Sequence, residues 1–166
     1  MLRPIHIASL ALAQVLLTAS LSAQEAVEKV HLVFTGGANA GTYDAVGTKA
    51  GCSANATGPG SFGNQLSDPK GAPDKFNSLQ LIVPSLKSAS AGAGATEFQV
   101  IFGFGPLMHR TKTYTVNTIA KNGKVEGSGT IKIADAGKTA KVDIAVVTAD
   151  GVKINGTITC NSVTRL

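Results

Sequence analysis

Residues 140–160 read AKVDIAVVTADGVKINGTITC, two alternating apolar runs joined by Ala149, Asp150 and Gly151. Alternation with a period of two is the pattern of a strand with one buried face, and an Asp-Gly pair between two such runs signals a hairpin. Loop length then fixes the register. A three-residue loop sets Val146 opposite Ile154, Ile144 opposite Gly156 and Val142 opposite Ile158, which gathers the apolar side chains on one face. A two-residue loop sets Asp143 against Ile158 and Thr157 against Ile144, so that each face mixes polar and apolar groups. A slip of one residue turns every side chain over, so burial selects the three-residue turn, with Gly151 taking the positive φ it requires. In that register Cys160 shares the inward face with Ile154 and Ile158.

Working outward, TYTVNTIA at 113–120 and VEGSGTIKIA at 125–134 are further strand candidates, set off by the turn sequences KNGK and DAGK. The same reasoning places Ile131 across from Val142 and Ile133 across from Ala140. A four-stranded antiparallel meander with one apolar face is the expectation, and such a face needs a covering layer. KVHLVFTGG at 29–37 alternates Val30, Leu32 and Phe34 with His31, Val33 and Thr35, and TYDAVGTKAGC at 42–52 reads as a strand that pairs back on it and delivers Cys52. LQLIVP at 79–84 and TEFQVIFGFGP at 96–106 complete the second layer, the latter with Phe98, Val100, Phe102 and Phe104 at a spacing of two. The predicted fold is all-β, a two-layer antiparallel sandwich or flattened barrel of about 7–9 strands with a C-terminal four-stranded meander.

Two segments break the pattern. Residues 53–78 crowd Gly, Pro, Asn, Asp and Ser around Phe62, Leu66 and Phe76, a density of turn formers that predicts an irregular segment and, inside a compact domain, a functional one. SASAGAGA at 88–95 reads as a connection.

Residues 1–23 carry Arg3, then an apolar stretch from Ile5 to Leu17, then small residues up to Ala23. This is the order of a cleavable export signal, too short and interrupted to span a bilayer comfortably. The expectation is a leader at 1–23 and a single secreted β domain at 24–166. In an oxidising compartment two cysteines read as one disulfide, Cys52 to Cys160. The rival reading, a thiol metal site, lacks ligands, because His31 and His109 have no ligand-like spacing to either cysteine. Without the leader the chain has 14 Lys plus Arg against 10 Asp plus Glu, and its arginines are Arg110 and Arg165 alone. Scattered lysines without clustered arginine or stacking aromatics argue against a nucleic-acid surface and for solvated strand edges.

No motif yields a catalytic set. GPGSFG at 58–63 satisfies G-x-G-x-x-G but lacks the strand-to-helix setting that binds a pyrophosphate. Ser61 has Pro59 where a nucleophile elbow needs glycine. Asp68 and Asp74 bracket PKGAP, where Lys70 and Lys75 disfavour a cation and a plain turn is expected. Asn55 and Asn155 stand in formal glycosylation sequons. The sequence therefore points to an exported, non-catalytic domain with a binding or surface-structural role, its contacts on loops 53–77, 85–96 and 105–111, without cofactor or metal. Its ligand or surface partner is unidentified, and no transmembrane segment remains after leader cleavage. Phe62, Phe76 and His109 are the candidate binding residues. Two alternatives stand beside this: a hydrolase using Ser61 or a loop carboxylate with His109, and a carrier of an apolar ligand in a barrel lined by Phe98, Val100, Phe102 and Phe104.

Overall fold

The computed structural model describes residues 26–49, 51–68, 72, 74–86, 94–121 and 123–166, so the expected leader lies outside the described residues. Among the described residues twelve strands are formed: β1 (Glu28–Thr35), β2 (Gly41–Gly47), β3 (Cys52–Ala54), β4 (Phe62–Ser67), β5 (Phe76–Val83), β6 (Gln99–Phe104), β7 (Lys112–Lys121), β8 (Lys124–Glu126), β9 (Ser128–Asp135), β10 (Ala140–Val147), β11 (Lys153–Cys160) and β12 (Val163–Arg165). They make a small sheet in the order β2-β1-β11-β10-β9 and a large sheet in the order β12-β3-β4-β5-β6-β7-β8, packed as a sandwich. Neighbours are antiparallel except β12 and β3.

The hairpin that decides the fold has the expected register. Val146 faces Ile154, Ile144 faces Gly156 and Val142 faces Ile158. Thr148 closes the turn, its amide donating to Val152 O at 3.0 Å while its hydroxyl accepts the Val152 amide at 3.0 Å. Gly151 has φ +84°. The preceding hairpin is displaced by two residues, with Val142 opposite Ile133 and Ile144 opposite Ile131. Its turn centres on Gly137 and Lys138, one residue further along than expected, because Ala136 donates to Thr139 O and Asp135 Oδ1 accepts the Gly137 amide. A shift of two leaves every side chain on its own face, and the apolar surface is unaffected.

The expected four-stranded meander has three strands in the small sheet, and the fourth place is taken from elsewhere. Residues 125–134 do not form one strand. They split at Gly127, whose φ of +77° turns the chain from β8 in the large sheet to β9 in the small one. A Cβ there would lie 2.4 Å from Val147 O, so only glycine fits the corner. Strand β7 accordingly stays in the large sheet, paired with β6. The open edge of β11 is taken by β1, with Val30, Leu32 and Phe34 level with Ile158, Gly156 and Ile154. Strand β2 pairs back on β1 as expected but ends at Gly47, and Cys52 is delivered by a separate strand in the other sheet. The strand count exceeds the expectation because residues 53–78 are more regular than their composition suggests: β4 lies inside them and β5 begins there.

Between the sheets, Phe34 packs edge-on against Phe102 and Phe104, with ring centroids 5.6 and 5.3 Å apart, and Tyr43 packs against Phe104 at 5.0 Å. Asn39, in the β1–β2 turn, accepts both tyrosine hydroxyls, from Tyr43 on its backbone oxygen and from Tyr114 on Oδ1. The Cys52–Cys160 disulfide joins β3 of the large sheet to β11 of the small one. The same end is tied by Arg165, which donates to Asp135 Oδ1 and Gly137 O.

Candidate functional site

The two outer faces of the sandwich differ in chemistry. Outward positions of the small sheet carry Lys29, Lys132, Lys141 and Lys153, with Asp44 and Asp143 among them. His31 Nδ1 meets Asp44 Oδ1 at 2.7 Å across β1 and β2, both side chains solvent-exposed. These four lysines share the outer face of the small sheet, Lys132 on its edge strand β9, and Lys124 lies on β8, the edge strand of the large sheet.

On the outer face of the large sheet, the described side chains of β3 to β6 and of residues 113–117 in β7 carry no charge. Its cross-strand rows are Ser67, Ser78, Gly103 and Thr113; Gln65, Gln80, Ile101 and Thr115; and Ser53, Gly63, Ile82, Gln99 and Asn117. From β3 to β7 these rows hold no ionisable side chain, and on β8 the third row continues from Asn117 to Glu126. Arg110 borders them, its guanidinium side chain lying over Gly103. Two of the hollows along this face share Gln65 and Gln80, one of about 210 Å³ beside the 55–61 turn and one of about 70 Å³ beside Leu107 and Arg110; a third, of about 290 Å³, joins Thr113 and Thr115 to Lys112, Glu126 and Asp150.

The turn at one end is built from its own hydrogen bonds. Asn55 adopts φ +65°, its Oδ1 accepts the Gly60 amide at 2.9 Å, and Ser61 Oγ accepts the Thr57 amide at 3.0 Å while donating to Gly58 O at 2.8 Å. The glycine motif 58–63 leads into strand β4, as its lack of a βαβ setting implied. At the other end the 105–111 turn is closed by His109 N to Pro106 O and Thr111 N to Phe104 O, and it exposes Met108, 84% accessible, beside His109.

The candidate binding residues divide. His109 is exposed on this turn. Phe62 and Phe76 are buried, 1% and 8% accessible, and hold β4 and β5 from beneath. Ser61 and His109 are not brought together. Ser61 precedes β4 at the end level with Val83, whereas His109 follows β6 at the end level with Phe76. Seven residues of β5, ~23 Å, separate those ends, and the Ser61 hydroxyl is committed to its turn. On that geometry Ser61 and His109 do not form one catalytic pair. The barrel alternative is corrected, since Phe98, Val100, Phe102 and Phe104 are fully buried and their face is filled by protein side chains of a sandwich. Asp68 and Asn77 bond across the start of the 69–73 segment, most of which lies outside the described residues. Among the described residues no group of three His, Cys, Asp or Glu side chains could hold a metal.

A second site escaped the sequence reading. Glu28 and Asn64 are buried inside the sandwich, 0% and 3% accessible, and the Asn64 amide donates to Glu28 Oε2. A cleft of about 400 Å³ opens beside them, bordered by Val46, Thr48, Lys49, Leu66, Ser67 and Asp68. The signal was parity: Glu28 keeps step with Val30, Leu32 and Phe34, and Asn64 with Phe62 and Leu66, on strands whose alternate positions are buried.

No protein-family model matches the chain, and no similar protein is found among curated sequences or solved structures.

Proposed function

We propose that this is an exported, non-catalytic binding domain that takes an uncharged, hydroxyl-rich polymer, a neutral glycan, on the outer face of its large sheet. The observation that carries the reading is that, from β3 to β7, three successive cross-strand rows hold no ionisable side chain, with Glu126 of β8 closing the third, while the opposite face bears four lysines. Amide and hydroxyl side chains offer donors and acceptors together, which matches sugar hydroxyls without the cost of desolvating a charge. Ile82 and Ile101 add apolar spots for sugar C–H faces. The turns at 55–61 and 105–111 bound the track, and His109 serves as a rim contact, with Phe62 and Phe76 supporting it from the core.

Export is supported by the order of residues 1–23 and by an intramolecular disulfide, which suits an oxidising compartment. No helix among the described residues is long and apolar enough to cross a membrane. Affinity electrophoresis through gels carrying soluble neutral polysaccharides tests the binding surface. Retardation of the wild-type protein that is lost in Gln80→Lys supports it. Retardation by charged polymers only, by no polymer, or self-association that Gln80→Lys dissolves would each assign the face to something else.

A further inference from the structure

Glu28 begins β1, and its side chain points inward between Gly47 of β2 and Cys160 of β11. A Cβ at position 47 would lie 2.5 Å from Glu28 Oε1 and 2.6 Å from Cγ, so the glycine leaves the room the carboxyl fills. Asn64 reaches across from β4 of the opposite sheet, donating to Glu28 Oε2 and standing 3.4 Å from Cys52 Sγ. Two buried oxygens of this pair have no partner, Glu28 Oε1 and Asn64 Oδ1. If the carboxyl is ionised, both are acceptors without a donor, and each bears an uncompensated desolvation cost. One proton on Oε1 removes both deficits, because a carboxylic acid and a primary amide close a ring of two hydrogen bonds.

We propose that Glu28 stands as the neutral acid, donating from Oε1 to Asn64 Oδ1, and that this ring is a pH-sensitive latch between the two sheets beside the disulfide. Burial pushes the Glu28 carboxyl from 4.5 up to about 7, against the opposing pull of the Asn64 hydrogen bond. The ionisable side chains bordering the cleft with it are Lys49, from the segment after β2, and Asp68, from the end of β4; Cys52 and Cys160 are bonded and do not titrate. Above neutral pH the ionised carboxyl faces the Asn64 oxygen as a second acceptor, and water enters from the cleft. The folded carboxyl binds its proton more tightly than the unfolded one. Stability from the latch is therefore complete below about pH 4.5, falls as pH rises from there to about 7, and is lost above that.

Glu28→Gln tests the latch, because its amide supplies the same donor and acceptor without titrating. The wild-type Tm is expected to fall by on the order of 5 °C or more between pH 5 and pH 8.5 relative to Glu28→Gln. Carbon-13 NMR of the wild-type Glu28 carboxyl, which needs no variant, is expected to show titration near neutral pH. A carboxyl titrating in the ordinary range near 4.5, or a folded Glu28→Gln protein with the wild-type pH profile, would overturn the proposal.

Discussion

At the residue scale, the load on a side chain follows from how many elements meet at it. Phe104 touches Phe34, Tyr43, Phe76 and Tyr114, contributed by β1, β2, β5 and β7. Phe104→Ala is expected to cost about 3–5 kcal/mol in urea unfolding, since no single neighbour can collapse into the space. Ser61→Ala removes two hydrogen bonds of a turn and should cost about 1 kcal/mol by the same measurement. The Phe98 to Phe104 face was legible because four apolar residues at a spacing of two have one physical interpretation. Glu28 and Asn64 were not, because a carboxylate or an amide is read as solvated unless a partner across the core is known, and that partner is 36 residues away.

At the element scale, alternation decides which residues form strands but not which sheet receives them. The segment 125–134 has the composition of one strand and is two, because the chain turns at Gly127. Gly127→Ala combines a strained φ with a backbone clash and should destabilise by about 2 kcal/mol or more, read as a fall in the denaturation midpoint. The β10–β11 turn makes a milder case. The Thr148 hydroxyl accepts the Val152 amide and donates to Asp150 Oδ1 at 2.5 Å, holding the Asp150 carboxyl below its usual range. Thr148→Val is expected to cost about 1 kcal/mol in the same assay while leaving the strand register intact.

At the scale of the whole molecule, the disulfide and the Glu28–Asn64 pair fasten the two sheets at one end, and the aromatic cluster with Asn39 fills the other. The disulfide closes a sequence separation of 108 residues. In the chain-entropy account a loop of that length is worth about 4–5 kcal/mol. Cys52→Ala with Cys160→Ala should lower stability by that order, measured by chemical denaturation. The proposed export is tested by intact mass of the protein recovered after expression with its N-terminal segment, before and after alkylation without reductant: cleavage near Ala23 and two unreactive cysteines are the expected result. Free thiols would contradict the bond. The charge asymmetry between the outer faces belongs to this scale as well, because it arises only once strands distant in sequence share a sheet.

By itself the sequence determined an all-β chain, the three-residue hairpin at 149–151, the inward face of Cys160 and its pairing with Cys52, because each follows from local alternation or from counting. The tertiary structure decided which strands share a sheet, that β1 covers the edge of β11, that Ser61 and His109 stand at opposite ends, and that Glu28 meets Asn64. These depend on pairings between strands far apart in the chain. Such pairings are selected by the burial of whole faces, which no single strand's pattern contains.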